Sequence, residues 1–99
     1  MKYLVLSAAV AALAGPVAAA SKKEMDCGYQ AAVVAAVQQA RLERVGERKV
    51  PAHVAAKASW PERYNTAIPL VTPWVYEMKM RDVKTQDLAA AWQEMCMAR

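Results

Sequence analysis

The chain has 99 residues, with 13 Lys and Arg against nine Asp and Glu, a single histidine and three glycines. Its basic residues are scattered, and clusters such as Arg41, Arg44, Arg48-Lys49, Lys79, Arg81 and Lys84 sit among Glu43, Glu47, Glu77, Asp82 and Asp87. That mixture excludes the uninterrupted basic stripe of a nucleic-acid surface, and three scattered glycines exclude a phosphate-cradling loop.

The first segment, "MKYLVLSAAVAALAGPVAAASKK", has one basic residue, Lys2, ahead of an uncharged run that Gly15 and Pro16 break. Small residues follow, and Ala18 and Ala20 suit the −3 and −1 positions of a signal-peptidase site. Residues 1–20 therefore read as an export signal. Cleavage after Ala19, with Val17 at −3, is the alternative. The apolar run is too short and alanine-rich to serve as a membrane span. Cys27 lies too far downstream to be lipidated at the cleavage point. The expectation is a periplasmic or secreted protein, residues 21–99, without a membrane anchor. Loss of Lys2 leaves twelve basic residues against nine acidic ones.

A domain this short buries little apolar surface, and exported domains of such size often rely on disulfides. Two cysteines, Cys27 and Cys96, permit one intramolecular pairing, which would tie the first helix to the last.

From Asp26, a good N-cap, "CGYQAAVVAAVQQARLERVGERK" runs without proline. Tyr29, Val33, Val37 and Ala40 recur at helical spacing, and Gly46 offers a stop signal, so a helix is predicted over about 27–45. "VPAHVAAKAS" places Pro51 at the start of a short helix to about residue 58. Ser59 and Glu62 have capping-box spacing. The apolar stripe Trp60, Tyr64, Ile68, Val71, Val75, Met78 then passes through Pro69 and Pro73, each of which removes a backbone donor. Two helices meeting near residues 69–72 are favoured over one kinked helix, with Thr72 as cap and Pro73 in the first turn of the second. Thr85 caps a last helix with Asp87 in its first turn. There, Leu88, Trp92, Met95 and Cys96 share the inward face. The fold class is all-α: one bundle of four to five short helices.

Candidate chemistry is sparse. His53 has no evident partner, and Ser59 is better used as a cap, so no nucleophile–base–orienter set is visible and no enzyme is expected. No cofactor is expected either. Met78, Met80, Met95 and Met97 form two Met-x-Met pairs that could suit copper(I). Residues two apart on a helix, however, point about 200° from each other and cannot share an ion there. Met78 and Met95 read better as core filling, with Met80 and Met97 partly exposed.

Binding remains. Trp60, Trp74 and Trp92 with Tyr29, Tyr64 and Tyr76 are amphipathic aromatics suited to interfaces as well as to cores. Trp74, Tyr76 and Arg81 are the candidate partner surface, Tyr76 being the more exposed of the two rings. The early cysteine, "ARLERVG", "TPWVY" and the closing cysteine together resemble small two-cysteine exported helical proteins of proteobacteria, a resemblance that implies no activity. One long-range disulfide in a small exported helical protein is also similar to the acid-stress periplasmic chaperones of the HdeA type, although the basic balance here departs from them. The leading expectation is an interaction module (inhibitor, immunity or accessory protein) whose partner is another envelope or exported protein. A stress chaperone is the alternative, and copper(I) handling through methionines is third.

Overall fold

The structure, a computed structural model, describes residues 21–99; the expected signal segment 1–20 lies outside the described residues. The described residues form five α-helices and two 3-10 segments, with no strand among them. The all-α bundle expected from sequence is therefore what forms.

Helix α1, Lys22–Leu42, is the spine and contacts every other helix. It begins five residues before the expected start, because Ser21 rather than Asp26 caps it. The Ser21 hydroxyl accepts the Glu24 N–H at 3.0 Å, and the Glu24 carboxylate accepts the Ser21 N–H at 2.8 Å. This reciprocal pair satisfies two otherwise orphaned donors. The far end also departs from expectation. The Val45 N–H reaches back to the Ala40 carbonyl at 2.9 Å and the Arg44 N–H to the Arg41 carbonyl at 3.0 Å. These are the two bonds of a Schellman motif, with Arg44 in the left-handed position at φ 65°. Gly46, expected as the stop signal, has an ordinary φ of −63° and instead precedes a 3-10 turn over Glu47–Lys49.

Helix α2, Val50–Ala55, has Pro51 in its first turn, ends three residues short of expectation, and buries Val50 and Val54. The Ser59–Glu62 capping box does not form. Pro61 takes the cap position without a side-chain bond, and Glu62–Ala67 winds as a 3-10 segment. Trp60 is buried just ahead of it and donates its indole N–H to Asn65 Oδ1 at 2.8 Å.

Pro69 explains the 3-10 winding. In an α-helix the Asn65 carbonyl would accept from residue 69, which has no N–H. The Ile68 N–H takes that carbonyl instead, one residue early. Helix α3, Ile68–Tyr76, follows and continues through Pro73. The junction thus falls at residues 67–68, not near 69–72. Thr72 is not a cap, since its buried hydroxyl donates to the Ile68 carbonyl at 2.6 Å. Helix α4, Met80–Thr85, has no counterpart in the sequence expectations and buries Val83. Helix α5, Leu88–Met97, is capped by Asp87, whose carboxylate accepts the Ala90 N–H at 3.0 Å. Thr85, the expected cap, ends α4 and donates its hydroxyl to the Arg81 carbonyl.

Cys27 and Cys96 are disulfide-bonded, with Cα atoms 5.7 Å apart, and join α1 to α5. Other contacts of α1 with α5 and the residues flanking it run in reverse sequence order. Lys23 Nζ donates to the Arg99 carbonyl at 2.5 Å, the Trp92 indole to Gln30 Oε1 at 3.0 Å, and Gln38 Nε2 to the Gln86 carbonyl at 2.8 Å. The pair is therefore antiparallel. Between α1, α2 and α3 lies a core of Val33, Val34, Val37, Val50, Val54, Ile68, Val71 and Val75, closed by Leu88 from α5. The sequence stripe Trp60, Tyr64, Ile68, Val71, Val75 is buried throughout, with Met78 packed at its edge.

Two outcomes follow from this architecture. Breaking a 69-residue loop removes about 4 kcal/mol of unfolded-state constraint. Cys96→Ser should therefore lower the thermal midpoint by roughly 15 °C or more in a domain of this size; thiol titration of the denatured wild type should find no free thiol. Arg44→Gly should raise the midpoint by a few degrees, since glycine relieves about 1 kcal/mol of left-handed strain. A drop in the calorimetric midpoint of that variant would contradict the assignment.

Candidate functional site

Three arrangements use the polar and aromatic residues of the domain. At the C-terminal end of α1, the Arg41 guanidinium lies 5.0 Å from the centre of the Tyr76 ring and donates to the Met78 carbonyl at 3.1 Å. Tyr76 in turn donates its hydroxyl to the Val45 carbonyl at 2.6 Å. Burial raises the Tyr76 phenol pKa, while the neighbouring Arg41 charge opposes the shift. These contacts tie the end of α3 to the loop after α1, a structural task.

Nearby, Glu43 accepts from Gln39 at 3.0 Å and faces His53 at 3.5 Å and Lys57 at 3.8 Å. The Gln39 hydrogen bond first, and then the Lys57 charge, hold its carboxyl below the usual range. His53 thus has one carboxylate neighbour. Among the described residues no group of three His, Cys, Asp or Glu side chains is placed to hold a metal.

The third arrangement is a groove of about 410 Å³ where α1, the 3-10 segment, α3 and α5 converge. Tyr64 and Val71 are buried in its floor, and Gln30, Ala67 and Trp92 are half-buried beside them. Leu70 stands on the lip at 76% exposure, the most exposed large apolar side chain among the described residues. Exposed Arg63 and Arg99 flank the opening.

Most polar atoms of the floor are already committed. Trp92 donates to Gln30 and leans on Trp74, with ring centroids 5.6 Å apart. Tyr64 donates its hydroxyl to the Asp26 carboxylate, accepts from Arg63 at 3.0 Å, and packs against Tyr29 with ring centroids 5.0 Å apart. The hydrogen bond to Asp26, helped by burial, raises the Tyr64 phenol pKa against the opposing pull of Arg63. What faces solvent in the groove is mainly ring and methyl surface, with the Gln30 and Thr66 side chains beside it, between two guanidinium groups.

The residues expected as a partner surface, Trp74, Tyr76 and Arg81, are not gathered into one contact. Trp74 is half-buried against Trp92, Tyr76 is half-buried against Arg41 and Val45, and exposed Arg81 lies 3.3 Å from neighbouring Asp82. Among the methionines, Met78 packs on the core and Met80 and Met97 are half-buried, whereas Met95 is 47% exposed rather than core. Cys96, the nearest thiol in sequence, is held in the disulfide and offers no thiolate ligand. The groove itself was missed at the sequence level. One signal pointed to it: Leu70 lies two residues from Ile68 and so falls outside the Ile68–Val71–Val75 stripe.

Comparison with family models, curated proteins and solved structures returns no match to this chain.

The pKa directions set the pH dependence of stability. Glu43, lowered in the fold, contributes stability that is present above its ordinary value of 4.5 and lost as pH falls through the lowered value. Tyr64 and Tyr76, raised in the fold, contribute stability that is present below pH 10 and lost as pH rises through their raised values. In a pH series of thermal midpoints, Glu43→Gln should flatten the acid limb and Tyr64→Phe the alkaline limb. Unchanged limbs in both variants would contradict these assignments.

Proposed function

We propose that this protein is an exported helical interaction module, periplasmic or secreted, whose docking surface is the groove beside Leu70. The observation that carries the reading is Leu70 itself, 76% exposed on the lip of an apolar groove. An exposed leucine alone is ordinary, but one that extends the apolar lining of a concavity adds to a contiguous patch of the kind that marks an interaction surface. Trp92 supplies the fixed aromatic of the kind that dominates binding energy, since its indole is already bonded and little rotamer freedom is left to lose. The Cys27–Cys96 disulfide supports folding in an oxidising compartment. No described helix is long and apolar enough to cross a membrane.

This reading moves the docking surface from Trp74, Tyr76 and Arg81 to Leu70, Trp92 and their neighbours, because Trp74 and Tyr76 already spend much of their surface inside the domain. The groove belongs to the folded, disulfide-bonded domain and needs no unfolding to be reached. That favours a folded binding module over a chaperone released by unfolding.

The test is capture of partners from the native cell envelope by the tagged, disulfide-intact protein at neutral pH. Leu70→Glu should lose a partner that the wild type and Tyr76→Phe both retain, with no change in circular dichroism. Capture that is unaffected by Leu70→Glu, or that occurs only after an acid pulse, would overturn the reading, the latter in favour of the chaperone.

A further inference from the structure

Resting on the interaction reading, we infer the chemistry of the partner: an apolar side chain, leucine or aromatic, flanked by a carboxylate, presented by another protein.

The floor of the groove favours the apolar part. The Tyr64 hydroxyl is bonded to Asp26, the Trp92 indole to Gln30, and the Thr66 hydroxyl to the Arg63 carbonyl at 3.0 Å. With those donors engaged, a ligand inserted between Trp92, Val71 and Ala67 meets mainly carbon surface, with the Gln30 side-chain amide beside it. A volume of about 410 Å³ lies near the lower end of the roughly 300–1,000 Å³ range of ligand sites. That space holds one large apolar side chain with room for a neighbouring group.

The rim supplies the anionic preference. Arg63 and Arg99 line the same opening. Among the described residues one acidic side chain, Asp26, comes within ion-pair distance of these cations. It lies 3.9 Å from Arg63, whose side chain remains 69% exposed, and it already accepts from Tyr64. The Arg99 guanidinium makes no ion pair among the described residues. Positive charge therefore exceeds negative charge around the opening, and a carboxylate next to the inserted side chain is the complementary group.

Two other occupants fit less well. A small amphiphile filling the groove would touch only the inner side of Leu70, whereas a protein surface covers the groove and its lip together. A second copy docked about a two-fold axis would bring Arg63 and Arg99 of both copies together, a like-charge contact.

Selection from a phage-displayed random peptide library on the disulfide-intact protein tests this. Enriched peptides should carry one large apolar residue with Asp or Glu within a few positions. The best synthetic peptide should shift the Trp92 indole N–H resonance in a heteronuclear NMR titration. Its affinity should fall about tenfold or more with Leu70→Glu, as expected for a central apolar contact. It should fall several-fold with Arg63→Gln/Arg99→Gln and with added salt. Arg99→Gln alone spares the Asp26–Tyr64–Arg63 cluster and separates charge loss from structural damage.

No enrichment, enrichment of basic or uncharged sequences, or peptides indifferent to Leu70→Glu would overturn the inference. The two readings fail separately. An envelope partner lost with Leu70→Glu beside peptides lacking acidic residues would remove the acidic occupant and keep the interaction module. Acidic-apolar peptides bound in the groove, with no envelope partner, would do the reverse.

Discussion

Pairing of α1 with α5 through Cys27 and Cys96 is the constraint on which the rest depends. The two helices come from opposite ends of the domain, so their contact closes nearly the whole described chain into one loop. An entropy cost of that kind is large for a chain whose core is built mainly of valines. The disulfide moves much of it out of the folding step by restricting the unfolded state in advance. Once α5 lies along α1, the Gln30–Trp92 hydrogen bond holds the two helices at a further point, and Gln38 holds the turn that leads into α5 through the Gln86 carbonyl. Leu88 closes the core, and Trp92 is fixed where it can serve as one wall of the groove.

The opposite wall depends on a proline. Because Pro69 cannot donate to Asn65, the chain from Glu62 to Ala67 winds with three residues per turn before relaxing to α geometry at Ile68. Tyr64 and Ile68 remain in the core on either side of this change, while Leu70 is turned out and Val71 in. The same backbone irregularity thus supplies the floor residues Tyr64, Ala67 and Val71 and the exposed lip at Leu70. Sequestering a leucine would have been simple in a regular bundle. Its exposure beside Trp92, between two arginines, is the feature that supports a docking function.

Much of this was legible in the sequence, and the misses have physical causes. The stripe from Trp60 to Val75 could be read because helical periodicity survives a short 3-10 insertion. The disulfide could be read because two cysteines allow one pairing. Boundaries went wrong where several good caps competed. Ser21 with Glu24 outbids Asp26, Asp87 outbids Thr85, and Arg44 takes a left-handed position that Gly46 seemed made for. Helix α4 was invisible because one buried side chain, Val83, carries its inward face and no side chain caps its start. Its C-terminal end is held by Gln38, which donates to the Val83 and Gln86 carbonyls from 45 and 48 residues away. The groove was illegible for the same reason, since its walls come from three separated stretches of the chain. Trp74 and Tyr76, conspicuous in the sequence, turned to Trp92 and Arg41 through contacts no local pattern specifies.

Native-state hydrogen exchange, with the disulfide intact and then reduced, tests the central claim most directly. If the covalent α1–α5 pairing holds the domain together and builds the groove, reduction should collapse protection across α5 and at the Trp92 indole. Protection in α1 and α3 should fall by a comparable free energy, because the core loses Leu88 when α5 departs. Undiminished protection of α5 in the reduced protein would contradict the account. It would mean that packing alone holds the helix and that the disulfide is incidental to the groove.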